Sequence, residues 1–221
     1  MGRGQDIQAV RLQTMRTGIW LAIFMGVLAW SGIGPKDYPT WGLEVFPAVV
    51  GLGVLAATRQ RFPLTPLACW LVLVHCVILM VGGHYTYADV PLGEWMQGWF
   101  GFERNNYDKI GHFAQGFVPA ILAREIFLRL GVVRRGGWLP FIVVSVCLAI
   151  SAFYELVEWW VALLSEEAAD SFLGTQGYVW DTQDDMFFCL LGAVAALVFL
   201  RRLHDRQIAA VTRTGPARPG A

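Results

Sequence analysis

A chain of 221 residues that is 56% hydrophobic and only 15% charged is not an ordinary soluble domain, in which about a quarter of the residues are charged. Its mean hydropathy of +0.49 points the same way. Seventeen basic and 17 acidic residues cancel, so the balance gives no reason to propose nucleic acid as a partner.

Arg3, Arg11 and Arg16 precede the first apolar run, 18–33, which ends in Trp30-Ser31-Gly32 without a small-residue cleavage site; it reads as a retained span. Two further runs, 41–58 and 66–83, are long enough for helices crossing a bilayer core and are bounded by Gly, Pro or charge. The segment 84–106 holds Trp95, Trp99, Phe100 and Phe102 beside Glu94 and Gln97, the pattern of a short helix or aromatic anchor lying in the membrane interface. A fourth span, 107–130, is less obvious, because Asp108, Lys109, His112, Gln115, Arg124 and Glu125 interrupt it. Ile110, Phe113, Phe117, Ile121, Phe127 and Leu128 still recur with helical period, so the polar residues form a face turned toward other helices. The fifth span, 138–164, carries Glu155 and Glu158, and the sixth is 184–200. Between them, 165–183 is acidic, with Glu166, Glu167, Asp170 and Asp181. Residues 1–206 are expected to form a single six-span membrane domain, and 207–221 a disordered cytoplasmic tail. Cys69, Cys76, Cys147 and Cys189 lie in apolar runs without CxxC spacing and read as small buried hydrophobes.

Thirteen of the 17 basic residues fall on one set of loops and tails, and three, Lys36, Arg104 and Lys109, on the other; Arg124 lies within a span. Positive charge accumulates on the cytoplasmic side, so both termini are expected there. The expected fold is all-α: a polytopic bundle of about six transmembrane helices.

Ionisable groups inside a membrane are costly, and three motifs supply them. Asp108 and His112 are four apart at the start of span four; Glu155 and Glu158 are three apart in span five; Asp181 and Asp185 are four apart at the start of span six, with Asp184 pointing away. At about 1.5 Å rise per residue, all six better-placed groups fall within roughly 10–15 Å of the outer boundary. Carboxylates packed at low dielectric need neutralising, by protons, by Lys109, Arg104 or Arg124, or by a divalent cation held by His112, Glu155, Glu158, Asp181 and Asp185. His75 reads as a histidine bonded to a neighbouring helix, Glu125 and Arg129 as an i, i+4 salt bridge, and Glu44 as a further acid outside the chosen set. No nucleophile elbow, P-loop or HExxH motif is present.

Asn106 to Phe113 (NYDKIGHF), Gln115 to Ala120, Arg124-Glu125, SAFYELVEW from Ser151 and GTQGYVWDTQDDM from Gly174 resemble the YjdF-like family of bacterial inner-membrane proteins, as does Gly83-His84-Tyr85-Thr86-Tyr87. The resemblance covers about 82–200. It implies a small multi-pass inner-membrane protein and brings no established reaction. In the family pattern an acid often stands where Tyr178 is and an aromatic where Asp184 is, which favours Asp108, His112, Glu155, Glu158, Asp181 and Asp185 over Asp184 as catalytic candidates. Three readings remain open. The first is a membrane-embedded, metal-dependent enzyme acting on a lipid or amphiphile from the outer leaflet. The second is a transporter or binding protein for a proton, metal ion or small solute. The third is a structural protein whose cluster holds helices together.

Overall fold

The computed structural model describes residues 2–163 and 179–214, with side chains from 13 to 213 within those limits. Among them the chain is helical throughout: α1 (Gly2–Ser31), α2 (Tyr38–Thr58), α3 (Pro66–Tyr85), a 3-10 turn (Tyr87–Asp89), α4 (Pro91–Phe100), α5 (Tyr107–Leu130), α6 (Trp138–Ala162), α7 (Asp181–Phe199) and α8 (Arg201–Thr214). Local chemistry sets the ends. The Asp37 carboxylate accepts from the Thr40 amide at 2.7 Å and caps α2, Thr65 caps α3 by accepting from Ala68, and α5 stops at Gly131 with φ +73°.

Five helices are long and apolar enough to cross a membrane: α1 from Gln13, α2, α3, α6 and α7. Large side chains such as Phe46, Val74, Phe141, Phe153 and Val198 point outward from them, more than half exposed, as a lipid-facing band requires. α5 is 24 residues long, roughly 36 Å, but too charged to join that group. It lies at the centre instead, against α3, α6, α7 and α8, while α1 and α2 pack on α3. Its polar groups are thus kept from lipid: Asp108, Arg124 and Glu125 are all buried.

The crossing of α5 and α7 fixes everything below. A Cβ on Gly116 would sit 1.8 Å from the Cys189 carbonyl oxygen, and one on Gly192 2.0 Å from that of Phe113. Small residues let the two backbones touch, which is how helices associate where burial from water supplies no drive. Cys189 and Cys147 are buried in this seam as free thiols.

The two ends of the bundle differ in charge. At the acidic end α1, α3 and α6 finish and α2, α5 and α7 begin; at the basic end the senses reverse and α8 docks. α4 is the short helix expected near Trp95 and Trp99, which are 60% and 75% exposed. Of the tail expected to be disordered, 207–221, the described part is helical to Thr214, and 215–221 lie outside the described residues. Gln207 accepts from the Leu67 amide at 2.8 Å, and Ile208 and His204 are buried on the same face, so packing rather than composition decides this segment. The acidic residues Glu166, Glu167 and Asp170 lie outside the described residues.

Candidate functional site

α5 contributes Asp108 and His112 to the acidic end, α6 contributes Glu155 and Glu158, and α7 contributes Asp181 and Asp185. The α5–α7 crossing sets the register, because Gly116 lies one turn beyond His112 and Cys189 one turn beyond Asp185. His112 Nε2 is 3.6 Å from Asp185 Oδ2, and His112 Nδ1 is 3.9 Å from Glu155 Oε1. One ligand atom from each of these three residues lies within 4.8 Å of the others, and Asp108, Asp181 and Asp185 form a second such trio.

Five of the six residues, Asp108, His112, Glu158, Asp181 and Asp185, line one cavity of about 210 Å³, together with Glu44, His75, Tyr87, Tyr154, Gln115, Pro47 and Pro119; Glu155 meets His112 from beside it. Among the described residues no Lys or Arg is part of the lining, and Arg104 reaches Asp108 and Asp181 from beside it. Pro47 and Pro119 lack an amide proton, so the carbonyls of Leu43 and Gln115 lose their helical donors beside it.

Three carboxylate oxygens here are buried without a hydrogen-bond donor: Asp108 Oδ2, Glu155 Oε1 and Asp185 Oδ1. Buried acceptors are nearly always paired, so such a group needs a specific account. The imidazole sharpens the point. His112 Nδ1 is 3.1 Å from Gln115 Oε1, and since an amide oxygen accepts, Nδ1 carries the proton. Nε2 then turns a lone pair toward Asp185 Oδ2. A shared proton or a cation can bridge the two atoms, with the far nitrogen fixed by hydrogen bonding as in histidines that ligate metals.

The charged neighbours are placed more specifically than their sequence spacing suggests. Arg104 Nη2 lies 2.9 Å from Asp181 Oδ1 and 3.6 Å from Asp108 Oδ2, so the second trio already holds a cationic side chain. Lys109 pairs with Asp184 at 3.0 Å, away from the cavity. Glu44, left outside the chosen acids, is 5% exposed and accepts from the Tyr154 hydroxyl at 3.3 Å. A lone acid in the apolar α2 was the signal for it; its partner on α6 was not visible. His75 faces the cavity rather than a bonded neighbour. His84 takes no part: its ring is 3.0 Å from the Ser31 carbonyl and packs on Trp30.

The basic end holds a second polar cluster. Glu125, with no exposure, accepts from the Thr65 amide (2.9 Å), the Thr65 hydroxyl (2.7 Å) and Arg129 (2.7 Å), and lies 3.1 Å from His204 Nε2. Arg124 donates to His204 Nδ1 at 3.1 Å and to Asp205 at 2.5 Å, and Arg135 reaches Asp205 at 2.6 Å. Burial raises the Asp205 carboxyl, but the hydrogen bonds from Arg124 and Arg135 overcome it and hold the group below the usual carboxylate range. The i, i+4 pair expected between Glu125 and Arg129 is present, inside a network that also ties α8 to α3 and α5.

Residues 17–206 match the family described as "Predicted membrane protein (DUF2238)". The chain is similar to "Inner membrane protein YjdF" of Escherichia coli (strain K12), 53% identical over 182 residues, which span 82% of this chain and 87% of that one. No solved structure matches. With the apolar helices, these similarities make this a multi-pass inner-membrane protein.

Proposed function

This chain belongs to the DUF2238 family of membrane proteins, and because that description states no reaction, we propose from its cavity that it is a metal-dependent, membrane-embedded enzyme acting on a lipid or amphiphile. The observation that carries the reading is His112 Nε2 lying 3.6 Å from Asp185 Oδ2, with Glu155 Oε1 and Asp185 Oδ1 undonated beside it. A tetrahedral ion with bonds of about 2.0–2.2 Å sets its ligands roughly 3.3 Å apart, so the 3.6 Å gap closes with a small side-chain shift. One imidazole and two carboxylates suit zinc, manganese or iron. Such an ion activates water or polarises an ester or phosphoryl oxygen. Asp108, Glu158 and Asp181 stand on the same wall and can take up or release protons there.

The orientation belongs to the same proposal. α5 crosses as the fourth of six spans, both termini are cytoplasmic and the cavity opens toward the outer leaflet. The 13-to-3 division of basic residues supports this. A periplasmic reporter fused after Ala221 should be inactive; activity there would reverse the topology.

A transport reading draws on one feature: the cavity reaches His75 and Pro119, about midway along α3 and α5. Metal analysis addresses the enzyme reading. Purified protein should hold about one divalent ion per chain, and the His112→Ala, Glu155→Gln double variant should hold none. Equal, near-zero metal in both would sink it.

A further inference from the structure

Beside His112, the cavity lining includes Glu44 on α2, Tyr87 in the turn after α3, and Tyr154 and Glu158 on α6, with the Tyr154 ring edge-on to His112 at 6.5 Å between centroids. Tyr87 is set there by deliberate construction. A Cβ on Gly82 would lie 2.4 Å from its ring, and one on Gly111 2.9 Å, so both helices leave out a side chain to seat it. The turn that carries it is strained: Thr86 has φ +61°, a conformation that β-branched residues rarely adopt. Asp89 holds that turn, accepting from Thr86 Oγ1 at 3.0 Å and pairing with Lys36. Strain kept in place by surrounding contacts accompanies binding sites more often than plain packing.

The chemistry of the wall is selective. Glu44 accepts from the Tyr154 hydroxyl and shares the lining with Tyr87, and among the described residues no Lys or Arg is part of that lining. Glu158 adds a second carboxyl group to the same lining. A carboxylate kept merely for structure is closed on all sides by donors, as Glu125 is at the other end. Here the same type of group faces open space. Two acids and two phenol rings, with no basic side chain, favour a cation with N–H donors or an alkylated ammonium, which aromatic rings also attract. A second divalent ion suits this lining less well, since the Tyr154 hydroxyl already occupies an acceptor position on Glu44.

We propose that the Glu44–Tyr87–Tyr154 group is a subsite for the ammonium group of the substrate, beside the His112–Glu155–Asp185 centre at the same cavity. This rests on the reading of that centre as an enzyme site for an amphiphile, and narrows the substrate class to amines and ammonium head groups. The ammonium comes either from a lipid head group or from a free amine.

The test measures binding to purified protein by tryptophan fluorescence with three probes: dihexanoyl phosphatidylethanolamine, dihexanoyl phosphatidylglycerol and ethanolamine. The ethanolamine lipid should bind on the order of tenfold more tightly than the glycerol lipid of equal chain length, and Glu44→Gln should erase that ratio. Tyr154→Leu, which leaves the acid in place, should reduce it about threefold. Binding of the ethanolamine lipid with no response to ethanolamine assigns the source as a lipid; comparable affinity for both assigns it as a soluble amine. Equal affinity for the two lipids in the native protein, or a ratio that survives Glu44→Gln, overturns the subsite. Metal content, measured alongside, separates the two ideas: a metal-free native protein with intact head-group selectivity would discard the metal centre and keep the subsite.

Discussion

The acidic and basic ends of α5 are built from the same side-chain types and treat them in opposite ways. Glu125 has four donors around it, and His204 is held at both ring nitrogens, by Arg124 and Glu125. Asp108, Glu155 and Asp185 are also largely buried, yet each leaves an oxygen without a hydrogen-bond donor, and the Arg104 guanidinium lies 3.6 Å from Asp108 Oδ2. A closed, satisfied network stabilises the helices that contribute to it. An open, unsatisfied one costs stability and persists where something else is served, which is the usual bargain at functional sites. The contrast separates a closed cluster from an open one on a single helix, without reference to any relative.

Opposite responses to neutralisation would test the contrast most forcefully. Glu125→Leu strands Arg129, His204 and both Thr65 donors, and should lower thermal stability in detergent by about 3 kcal/mol. Asp185→Asn removes one of several mutually repelling carboxylates, and in metal-free protein should leave stability unchanged or raise it by about 0.5–2 kcal/mol. If Asp185→Asn were the more damaging of the two, the acidic end would be the structural cluster and the distinction would collapse.

Much of this layout is legible in the sequence. The helix at Tyr107–Leu130 follows the expected bounds because its apolar residues keep helical period through six polar interruptions. The depth argument brings Asp108, His112, Glu155, Glu158, Asp181 and Asp185 together because it needs only rise per residue and the direction of each span. Partners are another matter, since they depend on which helices touch. Nothing in the order of residues says that Glu44 meets Tyr154, that Gln115 fixes the His112 tautomer, or that Arg104 bridges Asp181 and Asp108. Glu125 reads as an isolated pair because His204 lies 79 residues away. The segment from 207 reads as disordered by composition, yet His204, Gln207 and Ile208 fall on one helical face and find a surface to dock on. Small residues at 116 and 192 permit a close crossing, but their meeting is a property of the pair.

A smaller effect would sharpen the contrast within the basic end itself, between the sealed Glu125 and the rim at Asp205. Asp205 is held below the usual carboxylate range by Arg124 and Arg135, and so binds fewer protons in the folded state than in the unfolded one. Its contribution is therefore present above the unfolded value, about 3.9, and is lost as pH falls through the lower folded value. Arg135 is 53% exposed, so solvent screens the pair and the loss should stay under about 1 kcal/mol. Below about pH 4, α8 should loosen from α5, and amide hydrogen exchange over 201–214, corrected for intrinsic pH dependence, should rise a few-fold. α3 and α7 should not change with it. Asp205→Asn should show the raised exchange already at neutral pH and respond little to acid. An α8 that stays protected at low pH would mean that Ile208, Gln207 and His204 hold the helix alone, and that the arginine pairs on Asp205 add nothing to its docking.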